Sequence, residues 1–127
     1  MVFCPSLLIT DDDRDFRETL VEVFEPQGFK TLTATDGEEA VRVVRTQEIH
    51  LVLIDMHMPR LTGLEAIEQI KSLKARLPCI LLSGMIDEKT RLSAKAFRIL
   101  TKPVSFREVT ATVQDALQAT YNWPREA

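Results

Sequence analysis

A small set of polar residues in this chain could act together on a phosphoryl group. Asp11, Asp12 and Asp13 form an acidic run, while Asp55, Ser83 and Lys102 each follow a short apolar run. Carboxylates brought to one place repel each other unless a cation sits among them. Oxygen ligands without paired His or Cys suit Mg²⁺ or Mn²⁺ rather than zinc. A sparse Mg²⁺ site of this kind generally shares its ion with a phosphate. Lys102 adds a point charge for a phosphoryl oxygen, and the Ser83 hydroxyl adds a donor. A carboxylate, a divalent cation, a lysine and a hydroxyl are the parts for phosphoryl transfer to an aspartate.

Each part also has an ordinary structural role. An acidic run complements the dipole at a helix N-terminus, and Asp13 reads as such a cap. A lone Asp55 or a Ser83-Gly84 pair suits a turn. What carries weight is that these residues recur in one order, each at the end of an apolar run. His50 and His57 are far from the i, i+4 spacing of a metal pair, and each reads as a surface or loop residue. There is no Gly-x-Ser-x-Gly elbow to support a hydrolase triad and no glycine-rich phosphate loop.

The elements that must position these residues alternate along the chain. Apolar runs at 6–10 (SLLIT), 51–54 (LVLI), 79–82 (CILL) and 99–100 are too short for helices, and 29–35 (FKTLTAT) is rich in β-branched residues. Between them lie helical stripes. Phe16, Leu20, Val23 and Phe24 share a face, with Pro26 and Gly28 as the stop. Asp36 caps a helix over 37–45. Leu64, Ile67, Ile70 and Leu73 mark a helix over 64–77. Residues 88–96 form a weaker one, and Ser105 caps a last helix with Val109, Val113, Ala116 and Leu117 inside. The order (βα)₅ implies an α/β fold, a doubly wound, five-stranded parallel sheet of flavodoxin-like type. In such sheets the ligand site lies beyond the carboxyl ends of the strands.

At 127 residues the chain has room for one domain, which can bury a core without staples. A net charge of −3 argues against nonspecific binding to DNA or anionic membranes. No apolar stretch approaches a membrane span, and the first five residues lack a basic n-region. Cys4 and Cys79 do not make a disulfide framework, so a cytoplasmic location is expected.

The pieces LLITDDDRDFRETL, LVLIDMHMPRLTGLEAI, ILLSG and LTKPVSFREV resemble the receiver domain of bacterial two-component response regulators. The resemblance runs from about residue 7 to 119, leaving 120–127 as a C-terminal extension of a single receiver domain. It is most specific at Asp55, Met58, Pro59 and Gly63. It implies that Asp55 is the phosphoacceptor. It implies that Asp12 binds Mg²⁺ (or Mn²⁺) directly, Asp11 through water, and that the His57 backbone carbonyl is the third protein ligand beside Asp55. Ser83 would bond the phosphoryl group, Lys102 would pair with it, and Lys102-Pro103 would be cis. The protein would be a signalling phosphoacceptor rather than an enzyme. Its donor would be a sensor histidine kinase or a histidine phosphotransfer protein.

Two departures stand out. The family generally has an aromatic residue three before the lysine, which turns inward as the hydroxyl residue moves. Ile99 stands there, stiff at χ1, so the switch pair Ser83 and Ile99 would work differently. The stretch from Ser83 to Lys102 is also short, which implies a shortened fourth helix and an altered face around the fourth helix, fifth strand and fifth helix. His57 and Met85 occupy positions where bulk can obstruct an attacking water, so slow dephosphorylation is expected. Three expectations concern partners. With so little chain beyond the receiver, output would pass to an unidentified downstream protein by contact, with no direct DNA binding and no membrane insertion. A homodimer stays open. A receiver-like binding module that works without phosphorylation is the alternative. An aspartyl-phosphate hydrolase is disfavoured, because position 57 is histidine rather than a second acid. Tyr121, Asn122, Trp123 and Pro124 read as a cover for the core rather than a docking segment.

Overall fold

The computed structural model describes residues 4–85 and 87–123. The first three residues, and 124–127 of the C-terminal extension with Pro124, lie outside the described residues.

The five runs form parallel strands: β1 Ser6–Thr10, β2 Lys30–Ala34, β3 Leu51–Asp55, β4 Cys79–Ser83 and β5 Arg98–Thr101. Helices follow them: α1 Arg14–Phe24, α2 Gly37–Thr46, α3 Gly63–Leu73, α4 Glu88–Ser93 and α5 Phe106–Tyr121, with a 3₁₀ turn at Glu25–Gln27. The sheet order is β2-β1-β3-β4-β5, so the expected flavodoxin-like α/β architecture is the observed one. β1, β3 and β4 are buried along their whole length, as strands covered by helices on both faces must be.

Alternation along each strand divides the core in two. Leu8, Val52, Ile54, Cys79 and Leu81 point to one side, where Val41, Val44, Ile67 and Ile70 of α2 and α3 meet them. Leu7, Ile9, Leu53, Ile80 and Leu82 point to the other, against Leu20 and Phe24 of α1 and Val109 and Val113 of α5.

Several boundaries differ from the sequence expectation. α3 ends at Leu73 rather than at 77, and Leu73 is exposed while Ala66 joins Ile67 and Ile70 in the core. Its buried face is therefore rotated from the expected stripe. The helix starts at a capping box in which Thr62 and Glu65 satisfy each other's backbone N–H, a signal visible as T-x-x-E. The fourth helix is shorter still than expected, six residues capped by Asp87, with Leu92 exposed.

His50 is not a free surface residue. Its Nδ1 accepts the Ser6 N–H at 2.9 Å, and its carbonyl accepts the Tyr121 hydroxyl at 2.8 Å. The rings of Tyr121 and Trp123 lie edge-on to its imidazole. Tyr121 and Trp123 pack against the α1/α5 side of the core, as a cover would.

Candidate functional site

The polar residues expected to meet are brought together at the carboxyl edge of the sheet. Asp11 and Asp12 leave β1, and Asp55 ends β3. These strands are neighbours, and the chain turns to opposite sides of the sheet after them, which opens a crevice at this point. Ligand oxygens of Asp11, Asp12 and Asp55 all lie within 4.8 Å of one another. Asp11 and Asp55 are buried, whereas Asp12 is exposed, so the cluster opens to solvent on one side.

Lys102 follows β5, two strand spacings or about 10 Å from β3. Only a long side chain reaches back, and its Nζ sits 2.8 Å from Asp55 Oδ1 and 3.5 Å from Asp11 Oδ2. The Lys102-Pro103 bond is cis, as expected. Burial alone lowers the lysine pKa, but the hydrogen bond to Asp55 and the charges of Asp11 and Asp55 outweigh it and raise it overall. Burial pushes the Asp11 carboxyl up. The N–H of Asp13 opposes that shift with a 2.9 Å bond to Asp11 Oδ1, and the charge of Asp55 adds to it.

The other Asp11 oxygen, Oδ2, is buried and accepts no hydrogen bond. The lysine at 3.5 Å is an ion-pair neighbour rather than a bonded donor. A buried carboxylate oxygen without a donor, beside two further carboxylates, fits a hard divalent cation. The oxygen-only donor set fits Mg²⁺ or Mn²⁺.

Ser83 ends β4 and is buried, with its hydroxyl donating to the Met85 carbonyl at 2.7 Å. The side chains of His57 and Met85, in the loops after β3 and β4, are exposed. Ile99 is half-buried and packs against the α2/α3 side of the core. Phe97 precedes β5, is partly exposed, and lies under the Arg98 guanidinium instead of facing inward.

Several residues around the site support it, Gly63 of the resemblance among them. Gly63 begins α3 directly behind the phosphoacceptor candidate: a Cβ there would overlap the Asp55 carbonyl and crowd Leu81. Its N–H donates to Met56 O, which closes the loop. Arg60 sits in the left-handed region (φ 69°) at the centre of a tight turn in which Leu61 N–H reaches Pro59 O. Its guanidinium meets Asp36 at 2.8 Å. Asp36 also accepts the Glu39 N–H, and that bond, followed by the Arg60 charge, holds its carboxyl below the ordinary range. Arg17 donates to the Asp11 carbonyl at 2.8 Å. Gly63 is named in the sequence through the resemblance alone; its close approach to Asp55, the Arg60 turn and the Arg17 contact depend on how the loops fold, which residue periodicity does not report.

Known proteins place this geometry. Residues 7–114 match the model of the response regulator receiver domain. The chain is 32% identical over 116 residues to the alkaline phosphatase synthesis transcriptional regulatory protein PhoP of Bacillus subtilis, covering 89% of this chain and 48% of that protein. A CheY-like receiver domain protein from Methanospirillum hungatei has the same fold, with a TM-score of 0.90 at 22% identity, covering 94% of this chain and 98% of that one. TrrA from Thermotoga maritima, solved in complex with Mg²⁺-BeF, is 29% identical with a TM-score of 0.80, covering 89% and 99%.

The chain spans about half or less of the length of the curated relatives it matches, several of which are named transcriptional regulators. That corrects the partner expectations. The exclusion of DNA binding, and the passage of output by protein contact alone, rested on the shortness of the chain. In these relatives half or more of the sequence lies outside the matched region, so receiver length says nothing about output. Among the described residues no helix is long and apolar enough to cross a membrane.

Proposed function

The chain belongs to the response regulator receiver family, and from that premise we propose that it is a signalling phosphoacceptor that takes a phosphoryl group onto Asp55. The observation that carries this reading is the charge arrangement around that residue. Lys102 Nζ lies 2.8 Å from Asp55 Oδ1, beside a buried Asp11 oxygen that accepts no hydrogen bond. The donor is a phosphohistidine, on a sensor kinase or a phosphotransfer domain. An Asp55 oxygen attacks phosphorus, the P–O bond forms, and the P–N bond breaks. The imidazole then departs with its electron pair and takes a proton.

Asp12, Asp55 and the His57 carbonyl would hold Mg²⁺, with Asp11 acting through water; the cation would neutralise charge on the transferring oxygens. Lys102 supplies a second positive charge to the same oxygens. The Ser83 hydroxyl leaves the Met85 carbonyl and donates to the phosphoryl group, with Ile99 repacking behind it as the switch. The Mg²⁺-BeF complex of TrrA, a relative of matching fold, supports a metal of this class. Residues 7–119 form the receiver unit. The cytoplasm, a reducing compartment, suits the free Cys4 and Cys79.

Incubation with a small acyl phosphate such as acetyl phosphate tests the proposal. Mg²⁺-dependent label is expected on the wild type and none on Asp55→Asn. Equal labelling of Asp55→Asn, or labelling indifferent to Mg²⁺, would overturn it.

A further inference from the structure

A side chain outside the expected site touches its cation. Lys102 Nζ lies 5.0 Å from the centroid of the Phe16 ring, within cation–π range. Phe16 stands in the first turn of α1, half-buried. Its backbone is pinned by the acidic run: Asp13 Oδ1 accepts the Phe16 N–H at 3.3 Å, and the Asp13 N–H donates to Asp11 Oδ1. One short segment therefore sets both the Asp11 carboxylate and the Phe16 ring about the ammonium. With Asp55 and Asp11 as its anionic neighbours, the lysine has the ring as a further contact. Its stem is long and its side chain remains about one-third exposed, so without the ring it could swing into solvent.

We propose that Phe16 is a positioning residue for phosphoryl transfer, holding the Lys102 ammonium over the phosphoacceptor by a cation–π contact. The proposal rests on the phosphoacceptor reading. When the phosphoryl group arrives, Lys102 must move from the Asp55 oxygen to a phosphoryl oxygen. The ring limits that movement to a short displacement and excludes water from one side of the charge. A leucine at 16 would keep the apolar contact with the α1/α5 core and lose the ring face, whereas a tryptophan would keep the ring face.

Two measurements test it. The first is the NMR shift of the Lys102 ε-methylene protons in the unphosphorylated protein, which needs no activity. An upfield ring-current displacement is expected in the wild type and Phe16→Trp, and its loss in Phe16→Leu. A Lys102 shift unchanged by Phe16→Leu would overturn the contact. The second is the second-order rate constant of labelling by acetyl phosphate with Mg²⁺, expected to fall about three- to tenfold in Phe16→Leu and to be restored in Phe16→Trp. In a Lys102→Met background the Phe16→Leu effect should vanish. The same loss with and without Lys102 would mean that Phe16 acts only by packing α1, and would overturn the positioning role. Wild type that takes no label would overturn the phosphoacceptor reading, and the catalytic consequence with it, while the proton shift still reported the contact.

Discussion

Asp11 carries the clearest tension at the scale of single residues. Its carboxyl is buried against two others and has one oxygen that accepts no hydrogen bond. Burial raises its pKa above the unfolded value, so protonation at this position favours the folded state. The metal-free protein therefore loses stability at this residue as pH rises through the raised pKa. Asp11→Asn should be more stable than wild type without Mg²⁺ at neutral pH. That advantage should shrink as pH falls through the pKa of Asp11, and reverse when Mg²⁺ is added to both proteins. Urea titrations at several pH values, with and without Mg²⁺, read these differences. An Asp11→Asn protein less stable than wild type without metal would contradict the account. Asp11, Asp12, Asp55, Ser83 and Lys102 are legible in the sequence because each follows an apolar run within one or two residues. Phe16 was legible only as a member of the α1 stripe: its ring serves both core and lysine, and periodicity reports the core alone.

At the scale of elements, the start of α3 matters most. Gly63 lets the helix begin in contact with the Asp55 carbonyl, and Thr62 and Glu65 cap it there. Gly63→Ala has no room without moving β3 or the helix. It should cost about 2 kcal/mol, a typical overpacking penalty, and should slow labelling from acetyl phosphate as well. Thr62→Ala disturbs only the cap, so it should lower stability without a matching loss of labelling. If Gly63→Ala labels at the wild-type rate, the close approach does not position Asp55. Strand positions were read closely because short apolar runs between helices have few alternatives. The end of α3 was missed because Leu73 and Leu77 continue the apolar spacing past the last helical turn. Leu77 is buried from the loop instead, where its N–H donates to Lys74 O. The weak periodicity of 88–96 reflects a helix that buries no residue.

On the scale of the molecule, the two ends of the sheet do different work. The carboxyl edge holds the charged site, and the opposite edge is closed by His50, Tyr121 and Trp123. The Tyr121 hydroxyl bonds the His50 carbonyl across 71 positions of sequence, and the Tyr121 and Trp123 rings stack at 4.6 Å. Tyr121→Phe should lower stability by about 1 kcal/mol, and labelling of Asp55 should not change. Reduced labelling at unchanged stability would mean that the two edges communicate. The role of His50 escaped sequence reading because its partners come from β1 and the end of α5, far from it along the chain. The fold followed from the order of the runs, since parallel strands and right-handed crossovers leave few arrangements.

The central claim is that phosphoryl transfer ends on Asp55. The direct measurement is borohydride reduction of the protein after Mg²⁺-dependent phosphorylation, followed by mass spectrometry of its peptides. An acyl phosphate is reduced to the alcohol, so residue 55 should appear as homoserine, and only in the sample that received both phosphodonor and Mg²⁺. Homoserine at position 11 or 12 instead, or an unmodified Asp55 in protein that carries phosphate, would contradict the account.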